Sequence, residues 1–304
     1  MAHPIIIYVP GLLPKPEPEQ HRDALFRCLM AGLHRIDAPV AAAVAAQSSN
    51  FNVVAWTYDF YGAYRDIEID RSAIEAVIEQ TAASVSDIAE ASAWSRRLTR
   101  WIYRLGDKLP FLIPHLASER MELHLRDLRR YESNKNGIAE RVRRMLKVLL
   151  LAASGGQHPV LLIGHSMGSV IAYDSLWELS HSHGNPAQID LLLTMGSPLG
   201  QGFIQRQLKG YDRHGKDRYP LNIRRWTNLT AVGDLTAVDP TLANDFSEML
   251  GLGLLASIED NAVQNYFRLD GELNVHSEYG YLTNEKTAHT IAKWWRGHDS
   301  GLPR

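Results

Sequence analysis

The chain has 304 residues, a formal net charge of −2 at pH 7, 45% hydrophobic residues and 22% charged residues. That is material for one large domain or two small ones with a real core, and it leaves no bulk electrostatic case for binding nucleic acid. The single cysteine, Cys28, excludes an internal disulfide; in the helical pattern DALFRCLMAGL it reads as core packing.

Near the amino end stands PIIIYVPGLLP. It lacks a basic start and falls far short of the ~20 apolar residues of a membrane span. It reads as a buried strand, Ile5 to Val9, that stops at Pro10-Gly11, and the chain is expected to be cytoplasmic. Further apolar runs follow at 51–58 (FNVVAWTY), 159–164 (PVLLIG), 189–196 (IDLLLTMG) and 221–230 (LNIRRWTNLT), with a weaker one at 261–269 (NAVQNYFRL). Continuous runs suit strands covered on both faces of a parallel sheet. Helical patterns lie between them at 19–33, 137–153, 168–182 and 284–296. The alternation predicts an α/β protein with a mostly parallel central sheet flanked by helices.

From Asp66 to about Gly137 no strand pattern appears. Ile74, Val77, Ile78, Val85 and Ile88 recur at helical spacing, and Trp94, Leu98, Trp101, Ile102 and Leu105 form an apolar stripe among arginines. The segment 66–136 is therefore expected to be a helical insertion, a cap or lid, in a core made of 1–65 and 137–304. Trp101 and Leu105 would line the substrate pocket; contact of the stripe with a membrane surface is the lesser alternative, since Trp and Arg together mark interfacial helices.

The chemistry centres on IGHSMGSV. A G-x-S-x-G between an apolar strand and a helix makes a sharp turn that exposes the serine at the helix N-terminus, where a developing anion is favoured. Gly164 and Gly168 would keep side chains out of the strand–helix contact. Ser166 is the candidate nucleophile. A serine hydroxyl needs a base with an orienting acid. Asp234 lies just past the fifth apolar run and is the candidate acid; Asp239, ahead of Pro240, is the rival and otherwise a turn residue. Of the histidines that follow, His289 sits on an amphipathic helix, His298 lies in the tail, and His276 lies in a loop before the last helix, where a base is needed. The oxyanion donors would be the backbone N–H of Met167 and, since Pro10 has none to give, of Leu12.

IGHSMGSVIAYDSL, TMGSPLG, RRWTNLTAVGDLTAVDPTLANDF and VHSEYGYL resemble the α/β-hydrolase superfamily. Within it they are similar to lipase-like serine hydrolases related to bacterial esterases and to the GPI-inositol-deacylase type. The resemblance covers about 1–60 and 137–296. It implies that the aspartate after W-x-N, here Asp234, is the acid and that the histidine before x-x-Y-G-Y, here His276, is the base. Many members have His-Gly where this chain has Pro10-Gly11.

The expected activity is hydrolysis of a carboxylic ester, on a small ester or lipid-like substrate, through an acyl-enzyme. An acyltransferase, thioesterase or amidase would use the same residues, and a non-catalytic lipid- or partner-binding protein would use the Trp94–Leu105 stripe instead. No phosphate loop or dinucleotide fingerprint is present, so no cofactor is expected. HSH at 181–183 lacks a second ligand pair, so no metal is expected either. If the stripe roofs an acyl pocket, each buried methylene adds roughly 0.8 kcal/mol of binding. On a p-nitrophenyl ester panel, Trp101→Ala should then flatten the preference for medium chains while leaving acetate hydrolysis nearly unchanged; identical profiles would reduce the insertion to a structural cap.

Overall fold

The computed structural model describes residues 3–93, 119–181, 187–237 and 241–299. Strand β1 (Ile5–Val9) is followed by helices α1 (Pro18–Ile36) and α2 (Ala38–Ala46), strand β2 (Phe51–Val53), and helices α3 (Thr57–Tyr61), α4 (Glu68–Glu79) and α5 (Val85–Ala91). Then come α6 (Glu119–Glu132), α7 (Ile138–Gly155), β3 (Val160–His165), α8 (Met167–Ser180) and β4 (Leu191–Met195). The chain continues through α9 (Gly202–Gln205), β5 (Arg225–Ala231), α10 (Leu242–Asp245), α11 (Ser247–Gly251) and β6 (Ser257–Val263). A hairpin of β7 (Arg268–Leu269) and β8 (Glu272–Leu273) precedes α12 (Glu278–Leu282) and α13 (Glu285–Arg296).

Six strands form one sheet in the order β2-β1-β3-β4-β5-β6, and every pairing in it is parallel. Parallel strands buried on both sides must be apolar at every position, which is why β1 reads IIIYV and β3 begins VLLI. The period of two then sorts the residues. Ile6, Tyr8, Leu161, Ile163 and Leu193 join one core cluster with Leu25, Leu29, Ile291, Trp294 and Trp295 from α1 and α13. Ile7, Val9, Leu162, Leu192 and Trp226 join the other with Val142, Leu146, Ile171 and Leu176 from α7 and α8. The result is an α/β protein with helices on both faces of the sheet. Cys28 is fully buried in the first cluster.

Local chemistry sets the helix starts. Pro18 occupies the first turn of α1, where its missing N–H costs nothing. Asp37 caps α2 through the Val40 N–H, and the same carboxylate holds Arg296 of α13 at 2.7 Å through two nitrogens. Ser84 and Asp87 close a reciprocal capping box at α5.

Two strands differ from the sequence expectation. The run 51–58 is a strand only to Val53; the Trp56 indole turns inward to donate to the Pro10 carbonyl at 2.9 Å, and α3 begins one residue later. The last sheet strand is Ser257–Val263, upstream of the expected 261–269. Downstream, Asp270 and Gly271 at φ 52° and 81° make the two-residue turn of the β7–β8 hairpin, a conformation that an Asp-Gly pair favours.

Between 66 and 136 the described residues are helical, in α4, α5 and α6, with no strand among them. Ile74 and Val77 of α4 are buried in the α1–α13 cluster, whereas Val85 and Ile88 of α5 are exposed. The Trp94–Leu105 stripe, with Trp101 and Leu105, lies outside the described residues. No described helix is long and apolar enough to cross a membrane.

Trp226 is fully buried on β5 and its indole donates to Thr194 Oγ1 at 3.0 Å. Trp226→Ala leaves a cavity beneath the sheet and takes that donor from Thr194, and should lower stability by about 3–5 kcal/mol in urea unfolding.

Candidate active site

The turn from β3 to α8 explains its own glycines. A Cβ on Gly164 would lie 2.7 Å from Ser169 Cα, and one on Gly168 would fall on the Val9 carbonyl oxygen. Between them Ser166 adopts φ 53° and ψ −126°, a region that costs a non-glycine residue on the order of 1–3 kcal/mol. Neighbouring bonds hold it there. Ser166 N–H donates to the Met195 carbonyl at 2.9 Å, while the N–H and Oγ of Ser169 both donate to the Ser166 carbonyl at 3.0 and 2.6 Å. Ser169 Oγ also meets Ser197 Oγ at 2.7 Å, tying α8 to the end of β4. Ser166 thus stands at the carboxyl edge of the sheet and at the positive end of a 14-residue helix.

Asp234 follows β5 directly and is fully buried. Its Oδ2 accepts from His276 Nδ1 and from Tyr281 Oη, each at 2.8 Å, and its Oδ1 accepts from the Thr236 N–H at 2.9 Å. Burial pushes the carboxyl up, but the imidazole charge and hydrogen bond of His276, with the bonds from Thr236 and Tyr281, outweigh it and hold Asp234 below the ordinary aspartate value. An ionised carboxylate only accepts, so His276 Nδ1 carries the proton and Nε2 presents a lone pair when the ring is neutral. His276 is partly exposed, with 26% of its side-chain surface accessible. Its loop is fixed by Asn274 Oδ1, which accepts the His276 N–H at 3.2 Å.

Gly196 shows how close these parts lie. It follows Met195, the partner of the Ser166 N–H; it has φ +55°, and a Cβ there would stand 2.9 Å from Asp234 Oδ2 and 3.0 Å from the His276 ring. A Cβ on Gly11 would lie 2.8 Å from Ser166 Cβ, so the loop after β1 touches the turn. The N–H groups of Met167 and Leu12 donate to no described residue, which leaves both able to receive an anion beside Ser166. Ser166 Oγ makes no hydrogen bond to the His276 ring in this structure.

The structure therefore brings Ser166, His276, Asp234, Met167 and the 10–13 loop to one place. Asp239, Trp101 and Leu105 lie outside the described residues, as do Ser182 and His183 of the HSH run. The His181 ring lies tilted against that of Trp177, centroids 4.6 Å apart, and no cluster able to hold a metal occurs among the described residues. A cleft of about 690 Å³ opens elsewhere, lined by Arg143, Lys147, Trp177, Glu178 and Lys209, and includes none of the site residues.

Sequence reasoning passed over three residues. Tyr281 joins β5 to the acid, accepting the Ala231 N–H at 2.7 Å and donating to Asp234. His165 and Glu278 are buried beside the two loops. Their signal was adjacency: His165 precedes Ser166, and Glu278 and Tyr281 follow His276 within five residues.

The fold and this cluster define an α/β protein with a strained strand-to-helix serine beside a buried carboxylate that is bonded to a partly exposed imidazole. Compared with known protein families, with curated proteins and with solved structures, the chain matches none.

The depressed Asp234 carboxyl carries a pH signature. Such a group stabilises the fold above its unfolded value, about 3.9, and that stabilisation is lost as the pH falls below it toward the folded value. In urea unfolding from about pH 5 to about pH 2, the wild type should lose stability more steeply than Asp234→Asn. Parallel curves would show that Asp234 is not held ionised.

Proposed function

We propose that the chain is a serine hydrolase of the α/β-hydrolase type that cleaves carboxylic esters through an acyl-enzyme. The observation that carries this reading is the bond at 2.8 Å from the partly exposed His276 to the buried Asp234, beside a serine held at positive φ. A strained serine alone is compatible with a tight turn, and a carboxylate–imidazole pair alone with a structural bond; their meeting at one sheet edge, with two unused backbone donors, is what nucleophilic catalysis requires.

In this reading Ser166 Oγ attacks the acyl carbon while His276 Nε2 takes its proton. Asp234 holds the ring in the tautomer that leaves Nε2 free and stabilises the imidazolium that forms. The Met167 and Leu12 N–H groups stabilise the tetrahedral oxyanion. His276 returns the proton to the leaving alcohol, and water, deprotonated by the same nitrogen, releases the acid. The missing bond between Ser166 Oγ and the ring is compatible with this reading, because catalytic hydrogen bonds often form only in the complex with substrate. An acyltransferase would use the same groups and differ only in excluding water; a product assay with an added alcohol separates the two.

Ser166→Ala should lower kcat for p-nitrophenyl esters by about 10⁴–10⁶-fold, and Asp234→Asn by about 10³–10⁴-fold. A fluorophosphonate should label the wild type at Ser166. Labelling that persists in Ser166→Ala would sink the assignment.

A further inference from the structure

His165 is buried between the two loops that flank Ser166, and the chemistry proposed above gives it no part. Its Nε2 lies 2.9 Å from the His276 carbonyl. A carbonyl only accepts, so Nε2 carries the proton. The His165 ring lies 4.8 Å from the His276 ring, centroid to centroid, and 5.8 Å from that of Tyr281, which holds Asp234. On its other edge, Nδ1 has no hydrogen-bond partner among the described residues. A Cβ on Gly11 would stand 3.1 Å from it, so this edge rests against the residue before Leu12. Complete burial, then the neighbouring His276, push the imidazole down to about 3, against the pull of Glu278. His165 is neutral across the working pH range, with one donor already spent on the histidine loop.

Glu278 frames this arrangement. It lies two residues beyond His276, and its buried carboxylate takes bonds from Lys15 at 2.9 Å, His21 at 3.0 Å and Tyr8 at 3.1 Å. Lys15 belongs to the segment that carries Leu12, so one carboxylate ties that segment, β1 and α1 to the start of α12. Its Oε2 is 3.8 Å from His165 Nδ1. The histidine loop is thus held from behind by Glu278 and from the front by His165.

We propose that His165 is a positioning residue: its Nε2–H and ring fix the backbone and imidazole of His276 relative to Ser166 and the Leu12 loop. The claim rests on the esterase reading for its kinetic consequence but not for its geometry. A misplaced base costs on the order of 10²-fold for a shift of about 1 Å, and the penalty falls on kcat because binding contacts are untouched.

The test compares His165→Leu, which fills the space without a donor, with His165→Gln, whose amide nitrogen reaches the place of Nε2. On p-nitrophenyl acetate His165→Leu should lose about 10–100-fold in kcat with little change in KM, and His165→Gln should recover to within several-fold of wild type. If His165→Leu does not fold, His165→Met, also without a donor, takes its place. A second readout is independent of turnover. The downfield proton NMR signal of His276 Nδ1–H, assigned by its loss in His276→Gln, should persist in His165→Gln and broaden or vanish in the donor-free variant. An unchanged kcat and an unchanged signal in the donor-free variant overturn the proposal, as does a His165→Gln that falls equally far. If the wild type hydrolyses no ester, the esterase reading fails alone, and the His276 signal still decides the role of His165.

Discussion

The β3–α8 turn lies so close to the end of β1 that a methyl group on Gly168 would fall on the Val9 carbonyl oxygen. Everything else at the site depends on this approach. It requires glycine at 164 and 168 and forces Ser166 into its strained conformation. It also brings the Pro10–Leu12 segment against the serine, where a Cβ on Gly11 would already be crowded. The cost of the strain is offset by the sheet itself. β3 lies between β1 and β4 with every residue buried, and the Ser166 N–H and C=O are both bonded. A central strand has no freedom to relax the turn at its end.

Around that turn the protein buries two ionised carboxylates, Asp234 and Glu278. Burial opposes both charges, and in each case partners outweigh it: His276, Thr236 and Tyr281 for Asp234, Lys15 and His21 for Glu278. The two play different parts. Asp234 meets the exposed edge of the site through a single imidazole, whereas Glu278 faces inward and joins segments. An acid bonded to a ring that solvent reaches sets the tautomer that the ring presents at the surface; one surrounded by Lys15, His21 and Tyr8 holds its neighbours in place. Breaking either pair would strand an uncompensated charge in the interior.

The sheet was legible because its strands are buried on both faces, so IIIYV and VLLI could be little else. Where the sequence misled, a long-range contact had won. FNVVAWTY looks like one strand, but Trp56 leaves it to reach Pro10, forty-six positions away. The Asp-Gly of the β7–β8 turn was a readable local signal, masked by the apolar run before it. At the candidate site the serine turn was legible as a pattern of glycines and flanking apolar residues. Sequence position favoured Asp234 over Asp239; the structure puts Asp234 on His276 and does not describe Asp239. Glu278 and His165 were hidden because their meaning lies in partners such as Tyr8, Lys15 and His21, more than 250 residues from Glu278. No local window contains them.

Those separations bear on synthesis. Tyr8 meets Glu278 across 270 positions, Lys15 across 263 and His21 across 257, and Arg296 of the last helix clasps Asp37 near the first. Loop closure over such spans comes late and slowly. On the ribosome the serine turn can form once β1, β3 and α8 have emerged, while His276, Glu278 and α13 are still to be synthesised. A nascent chain therefore carries Ser166 well before His276 can meet it. The cluster around Ser166 is complete only when β1 and α12 have met.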